Sequence, residues 1–309
     1  MAIVLRVAVA FQLPETLSFS FIEPFARFLI DLPLENAFSP FENLVIALIL
    51  TLIQALIFNK IINEYNLVGK PTFVPALIYV TVSSLFTPFV LLSPALVCNF
   101  ALLFMIERVL SIYRQHEVRS VMFDLGMIVA VGTLIYFPFI AMMPLLWISL
   151  IIFRPFNWRE WLTGIIGFAT IFFFLAVYYY WNDSLDQFYK IWIPLATKFP
   201  VNFTINWYDY LVLIPVILIL GLGVFQLRSN FFRSFVQTRK SFQLLFFMLV
   251  LALLSFYLKA EFRLYHFLLC APPGAVMMAY YFVQAGKKRW IHESLYVMLV
   301  AFIIYFQIF

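Results

Sequence analysis

Charge is the scarcest commodity in this chain: 11% of its 309 residues are Asp, Glu, Lys or Arg, against roughly 25% in soluble globular domains. Hydrophobic residues make up 65% and aromatic residues 20%, which excludes an ordinary water-soluble fold. No polar segment is long enough for a soluble domain, so residues 1–309 are expected to form one integral membrane domain. Cysteine is almost missing. Cys98 and Cys270 stand alone in apolar segments without a CxxC or His-rich neighbour, which excludes a disulfide framework and a zinc site and leaves them as small packing residues. No metal or cofactor is expected. Phosphate-loop glycines are absent too, because Gly164-Ile165-Ile166-Gly167 and Gly221-Leu222-Gly223 lack the spacing and the strand-to-helix context. Close helix packing accounts for both.

What is present is a succession of apolar runs separated by short polar gaps. Eleven candidate spans lie near residues 2–14, 41–58, 72–90, 94–112, 120–136, 138–153, 161–181, 209–227, 241–258, 264–285 and 292–309. The expected fold is therefore an all-α polytopic transmembrane helical bundle of about 11 spans, or 10 if the first is not a true span. That first run reaches only about 18 Å at 1.5 Å per residue. Ala8-Val9-Ala10 resembles a signal-peptidase site, but Arg6 interrupts the run before it, so no cleaved signal is expected. Thr87-Pro88 to Ser93-Pro94 and Tyr136-Phe137-Pro138 predict tight turns, since proline cannot donate the next helical hydrogen bond.

The net charge of +5 would suggest nucleic acid in a soluble protein, yet here the basic residues fall between apolar runs and report topology instead. Most of the 20 lysines and arginines fall in one set of alternate gaps: Lys60 and Lys70; Arg108, Arg114 and Arg119; Arg154 and Arg159; Arg228, Arg233, Arg239 and Lys240; Lys287, Lys288 and Arg289. The positive-inside rule makes that set cytoplasmic, with the amino terminus inside and the carboxy terminus outside. The outer gaps are acidic, and two of them, residues 15–40 and 182–208, have the composition of interfacial segments.

One charged island departs from this pattern. Lys259-Ala260-Glu261-Phe262-Arg263-Leu264-Tyr265-His266 lies on the outer side between two long apolar runs, and in an extended loop its polar tips can converge at the mouth of the bundle. The alternative is a loop whose Lys259 and Arg263 snorkel to lipid phosphates. Ala271-Pro272-Pro273-Gly274 follows, where paired prolines break the backbone ladder or merely kink the helix. On the cytoplasmic side Asp124 is expected to pair with Arg108 or Arg119. Arg154 to Trp161 mixes arginine and tryptophan at a membrane edge, which suits headgroup anchoring or binding of a phosphorylated lipid.

The segments Asn99 to Leu103, Glu107 to Ser111, Phe123-Asp124 and Arg154 to Trp161 resemble those of an uncharacterised family of polytopic inner-membrane proteins of Bacteroidota, a domain of unknown function sometimes mislabelled as a carotene oxygenase. The resemblance covers the chain from about residue 41 onward. The oxygenase label does not suit this chain, because an iron enzyme of that kind needs clustered histidines and only His116, His266 and His292 are present.

Three functions are open at this level. The first is handling of a lipid-linked glycan or phospholipid at the outer face, glycosyltransferase-like or polymerase-like. Glu23, Asp31, Glu35, Glu261 or His266 would supply the base, and Lys259, Arg263 and Tyr265 would bind substrate. The second is a non-catalytic scaffold or assembly subunit that packs against other membrane proteins. The third is a transporter or flippase, favoured by Pro272-Pro273-Gly274. The expected location is the bacterial inner membrane, with the lipid bilayer as the obligatory partner and no nucleic acid.

Overall fold

The computed structural model describes residues 1–10, 39–115, 117–190, 192, 209–230, 234–258, 264–284 and 289–308. Among them there is no β-strand. The helices are α1 (Ala2–Ala10), α2 (Pro40–Glu64), α3 (Val74–Val82), α4 (Thr87–Val90), α5 (Pro94–Ser111), α6 (Arg119–Ile135), α7 (Met143–Phe153), α8 (Trp158–Trp181), α9 (Leu185–Lys190), α10 (Leu213–Ser229), α11 (Val236–Leu254), α12 (Ala271–Val283) and α13 (Arg289–Ile308). Short 3₁₀ segments at Asp209–Val212, Phe137–Met142, Ser255–Leu258 and Leu264–Cys270 extend or join them.

Seven helical segments among the described residues are long and apolar enough to cross a membrane, and the chain is a helical membrane protein. They are Pro40–Glu64, Pro94–Ser111, Trp158–Trp181, Tyr210–Ser229, Val236–Leu258, Leu264–Val283 and Trp290–Gln307. Of the other four expected segments, 120–136 and 138–153 stand at nearly the expected bounds but fall just short of that length, 72–90 is divided, and of 2–14 only residues 2–10 are described. Helix α1 has 9 residues; residues 72–90 divide into α3 and α4 around a turn at 83–86; α6 has 17 residues; and 137–153 is a 3₁₀ segment leading into α7.

Local sequence explains most of the boundaries. Ser39 and Glu42 form a reciprocal capping box at the start of α2, with Ser39 N–H donating to Glu42 Oε2 at 2.8 Å. Ser93 accepts from Leu96 N–H at 3.2 Å and caps α5. Pro88, Pro94, Pro138, Pro144 and Pro272 all sit in first turns, where no N–H is needed.

Polar side chains share the interior with apolar ones, and many apolar side chains face outward. Along α2 the inward stripe is Ala47, Thr51, Gln54, Ala55 and Phe58, while Ile49, Leu52, Ile53 and Leu56 point outward. In lipid, apolar side chains need no burial, so polar side chains take the interior. Helix α12 is the axis of the bundle, buried along nearly its whole length and packed by α3, α10 and α11. Helices α8, α10 and α13 are peripheral and turn large residues such as Phe173, Phe174, Ile217, Phe225 and Val297 outward.

Glycine sets the tightest contact. A β-carbon on Gly126 of α6 would land on the Gly164 carbonyl oxygen of α8 and 2.8 Å from the Phe168 nitrogen, and one on Gly167 would strike the Phe123 carbonyl. Gly223 likewise lets α10 approach the Met277 carbonyl on α12. Gly221 is different. A β-carbon there meets nothing within 4 Å, so close packing, expected for both glycines of that pair, applies to Gly223 alone.

The bundle has two distinct ends. At one, Tyr65 Oη donates to the Glu107 carbonyl (3.3 Å), Arg154 Nη1 to the Gln115 carbonyl (3.2 Å) and Gln226 Nε2 to the Gln284 carbonyl (3.2 Å). At the other, Leu92 N–H donates to Asn43 Oδ1 at 2.8 Å, α4 packs on the 264–270 segment, and 137–142 packs on 255–258.

Candidate functional site

Three helix breaks meet at that second end. Tyr136 closes α6 in an extended conformation just ahead of Phe137-Pro138. Ser255 ends α11 where it tightens into a 3₁₀ turn, and His266 lies in the 3₁₀ segment that precedes α12. His266 is 3% exposed. Its Nδ1 is 2.9 Å from Tyr136 Oη and its Nε2 is 2.9 Å from Ser255 Oγ. Ser255 Oγ is in turn 2.8 Å from the Ala252 carbonyl, which also lies 3.4 Å from Nε2.

A carbonyl only accepts, so Ser255 donates to Ala252. Its oxygen is then the acceptor for the Nε2 proton, and Nδ1 shares a hydrogen bond with the Tyr136 hydroxyl. The ring is held with a hydroxyl on each side. Such a group can pass a proton from one face to the other by exchanging tautomers. The Tyr265 ring lies 6.0 Å from that of Tyr136, closing the cluster on one side.

A second polar line runs from this segment into the bundle. Pro272 has no N–H, so the Leu268 carbonyl four residues earlier loses its α-helical donor. Asn99 Nδ2 on α5 replaces it at 3.1 Å. Asn99 Nδ2 is also 3.5 Å from Tyr79 Oη on α3, Tyr79 donates to Gln54 Oε1 on α2 at 2.8 Å, and Gln54 Nε2 donates to the Leu96 carbonyl at 2.7 Å. One turn along α2, Thr51 accepts from Arg6 Nη2 at 2.8 Å. Arg6 is 1% exposed, and its Nε and Nη1 have no hydrogen-bond partner among the described residues. An ionisable side chain buried in an apolar helical bundle is costly enough to mark a functional region.

The residues singled out from sequence are distributed unevenly. Tyr265 and His266 belong to the cluster, but in a 3₁₀ segment rather than an extended loop, with His266 turned into the protein instead of exposed at a mouth. The reason is local: the helical turn begins at Leu264 and carries His266 beneath α11. Glu23, Asp31, Glu35, Lys259, Glu261 and Arg263 lie outside the described residues. Residues 15–38 and 193–208 of the two interfacial segments lie outside them as well; the described Trp192 packs on Phe172 of α8, ring centroids 4.7 Å apart. At the opposite end Arg108 Nη2 is 3.5 Å from Asp124 Oδ2, Arg119 is exposed, and Arg154 Nε is 3.8 Å from Glu160 Oε2.

Ser255, Gln54, Tyr79 and Arg6 escaped the sequence reading as functional residues. The available signal was amides and an arginine interrupting otherwise apolar runs. Among the described residues no three His, Cys, Asp or Glu side chains come together as metal ligands.

Neither the curated proteins nor the solved structures contain a match to this sequence. A family model matches residues 21–309, nearly the whole chain including both polar clusters except Arg6, and the protein belongs to that family of unknown function, DUF6427.

Proposed function

We propose that the protein works in the bacterial inner membrane on the polar part of a lipid-linked glycan or phospholipid at the outer face, with the Tyr136–His266–Ser255 cluster as its centre. The observation that carries this reading is a buried histidine hydrogen-bonded through both ring nitrogens where three helices break. Irregular backbone at membrane depth persists where protein or a polar ligand satisfies it. Proton exchange with a substrate hydroxyl is what an imidazole between two hydroxyls is suited to do.

The outer placement is supported by the two ends of the bundle. The end that joins residues 65, 107, 115, 154, 226 and 284 is flanked by the basic gaps, which the positive-inside rule puts in the cytoplasm. The cluster lies at the opposite end, and residues 259–263 with their Lys259, Glu261 and Arg263 fall between Ser255 and His266 in the sequence. Ten or eleven crossings, amino terminus inside and carboxy terminus outside, complete the proposed topology. The shorter segments α6 and 137–153 cross with their ends covered by protein.

The test is complementation. A strain lacking the gene is supplied with wild type, His266→Phe, Tyr136→Phe or Ser255→Ala, and membrane abundance is followed alongside the lipid-linked glycan and phospholipid pools by mass spectrometry. The proposal expects a pool altered by the deletion, and a His266→Phe protein of normal abundance that does not restore it. Full restoration by His266→Phe would overturn it. Unchanged pools on deletion, together with a partner membrane protein that co-purifies and loses abundance, would establish the scaffold reading instead.

A further inference from the structure

Asn99 stands fully buried on α5, the helix that packs along the 264–270 segment. Its Nδ2 is 3.1 Å from the Leu268 carbonyl and 3.5 Å from Tyr79 Oη, while its Oδ1 has no hydrogen-bond partner among the described residues. The carbonyls at the two ends of this group dictate the direction of every bond in it. A carbonyl only accepts, so Gln54 turns Nε2 to the Leu96 carbonyl and leaves Oε1 for the Tyr79 hydroxyl proton. Tyr79 Oη then accepts from Asn99 Nδ2, whose second proton goes to the Leu268 carbonyl. Turning the Asn99 amide over would set its oxygen against two acceptors. Gln54, Tyr79, Asn99 and Leu268 are all fully buried, so no bulk water competes for these bonds.

The two sides of the Asn99–Leu268 bond differ in rigidity. Asn99 belongs to a regular α-helix, Pro94–Ser111, which Gln54 ties to α2 less than one turn away, at Leu96. Leu268 belongs to a 3₁₀ segment, whose hydrogen bonds have poorer geometry, just ahead of Pro272-Pro273. With about three residues per 3₁₀ turn, His266 and Leu268 share one turn. An anchor on the Leu268 carbonyl therefore fixes the rotation of the segment about its axis, and with it the direction of the imidazole. That direction matters, because the two ring nitrogens each meet a hydroxyl at 2.9 Å, one at the end of α6 and the other at the end of α11. A rotation that carries the ring past either hydroxyl loses it.

We infer that Asn99 is a positioning residue of the histidine cluster: through the Leu268 carbonyl it sets the rotation of the 264–270 turn and holds the His266 ring between Tyr136 and Ser255. Tyr79 and Gln54 hold Asn99 in turn. The value of this to activity rests on the role proposed for His266, but the position of the ring is measurable without any activity.

The experiment follows the His266 ring by NMR in the full-length, ¹⁵N-histidine-labelled protein in lipid nanodiscs. The chain has three histidines, and His266→Phe assigns the signals. The quantity read is the rate at which the buried Nε2 proton exchanges with solvent at constant pH. Asn99→Ala is expected to speed exchange about fivefold, the factor carried by one interhelical hydrogen bond, and to broaden the ring signals. In Pro272→Ala protein, where residue 272 gains an N–H for the Leu268 carbonyl, adding Asn99→Ala is expected to leave exchange where Pro272→Ala alone puts it. Gln226→Ala removes an amide-to-carbonyl bond at the opposite end of the bundle and should match wild type. Unaltered exchange in Asn99→Ala overturns the assignment. An equal acceleration in the Pro272→Ala background overturns it too, since Asn99 would then act by packing alone. So does an equal acceleration in Gln226→Ala, which would make exchange a report on overall stability. Asn99→Leu, which fills the site without a donor, replaces the alanine variant if that one does not fold. Restoration of function by His266→Phe, together with faster ring exchange in Asn99→Ala, would remove the proposed role of His266 and uphold its positioning by Asn99.

Discussion

Replacing Gly126 by alanine places a methyl group where the backbone of α8 already stands, on the Gly164 carbonyl oxygen and 2.8 Å from the Phe168 nitrogen. Neither atom belongs to a side chain that can rotate away, so α6 and α8 must separate. Separation also loosens the reciprocal contact of Gly167 on the Phe123 carbonyl. Overpacking of this kind costs about 1–3 kcal/mol, and interhelical packing is a main source of cohesion in lipid, where the hydrophobic effect between helices is missing. The matched control is Gly221→Ala, where the new methyl meets open space. Alanine is favoured over glycine in a helix by up to about 1 kcal/mol, although the unfolded state in a membrane keeps its helices and much of that gain cancels. The same chemical change is therefore destabilising at Gly126 and neutral to slightly stabilising at Gly221. Reversible unfolding of both variants in mixed detergent–SDS micelles measures the difference. A Gly126→Ala protein as stable as wild type would refute the close approach of α6 and α8 as the organising contact of that side of the bundle.

Arg6→Met removes a buried guanidinium with two nitrogens that have no hydrogen-bond partner among the described residues. Its thermal stability in detergent should equal the wild type or exceed it by up to about 4 kcal/mol, since apolar replacement of buried charge is often favourable; a loss would mean that Arg6 is a structural tie. Asn99→Ala should cost about 1 kcal/mol in the same assay, and less in a Pro272→Ala background, where the restored N–H can serve the Leu268 carbonyl. Equal costs in the two backgrounds would separate Asn99 from the proline break. Asp124→Asn should shift stability by less than about 1 kcal/mol, because its ion pair with Arg108 is half exposed. A larger change would assign that pair more than edge neutralisation.

Long spans were legible because hydropathy is additive along the chain: α2, α5, α8 and α13 each carry enough apolar residues to cross by themselves. The shorter pieces were legible in part. Between residues 72 and 153, the runs 120–136 and 138–153 stand at nearly the bounds read from sequence, whereas a turn at 83–86 divides 72–90 into α3 and α4. The Lys259–His266 island was visible as an exception to the charge pattern, but the inward turn of His266 was not, because it depends on a 3₁₀ segment meeting α11 and the end of α6.

Composition alone determined that this chain lives in a bilayer, and the spacing of its basic residues carries the proposed orientation, since both are sums over local preferences for lipid or water. Only tertiary structure decided which polar groups meet. Gln54, Tyr79, Asn99 and the Leu268 carbonyl, like Tyr136, Ser255 and His266, come from distant parts of the chain. In lipid both faces of a helix can be apolar, so periodicity does not say which face turns inward. Glycine contacts and the hydrogen bonds of buried polar groups make that choice.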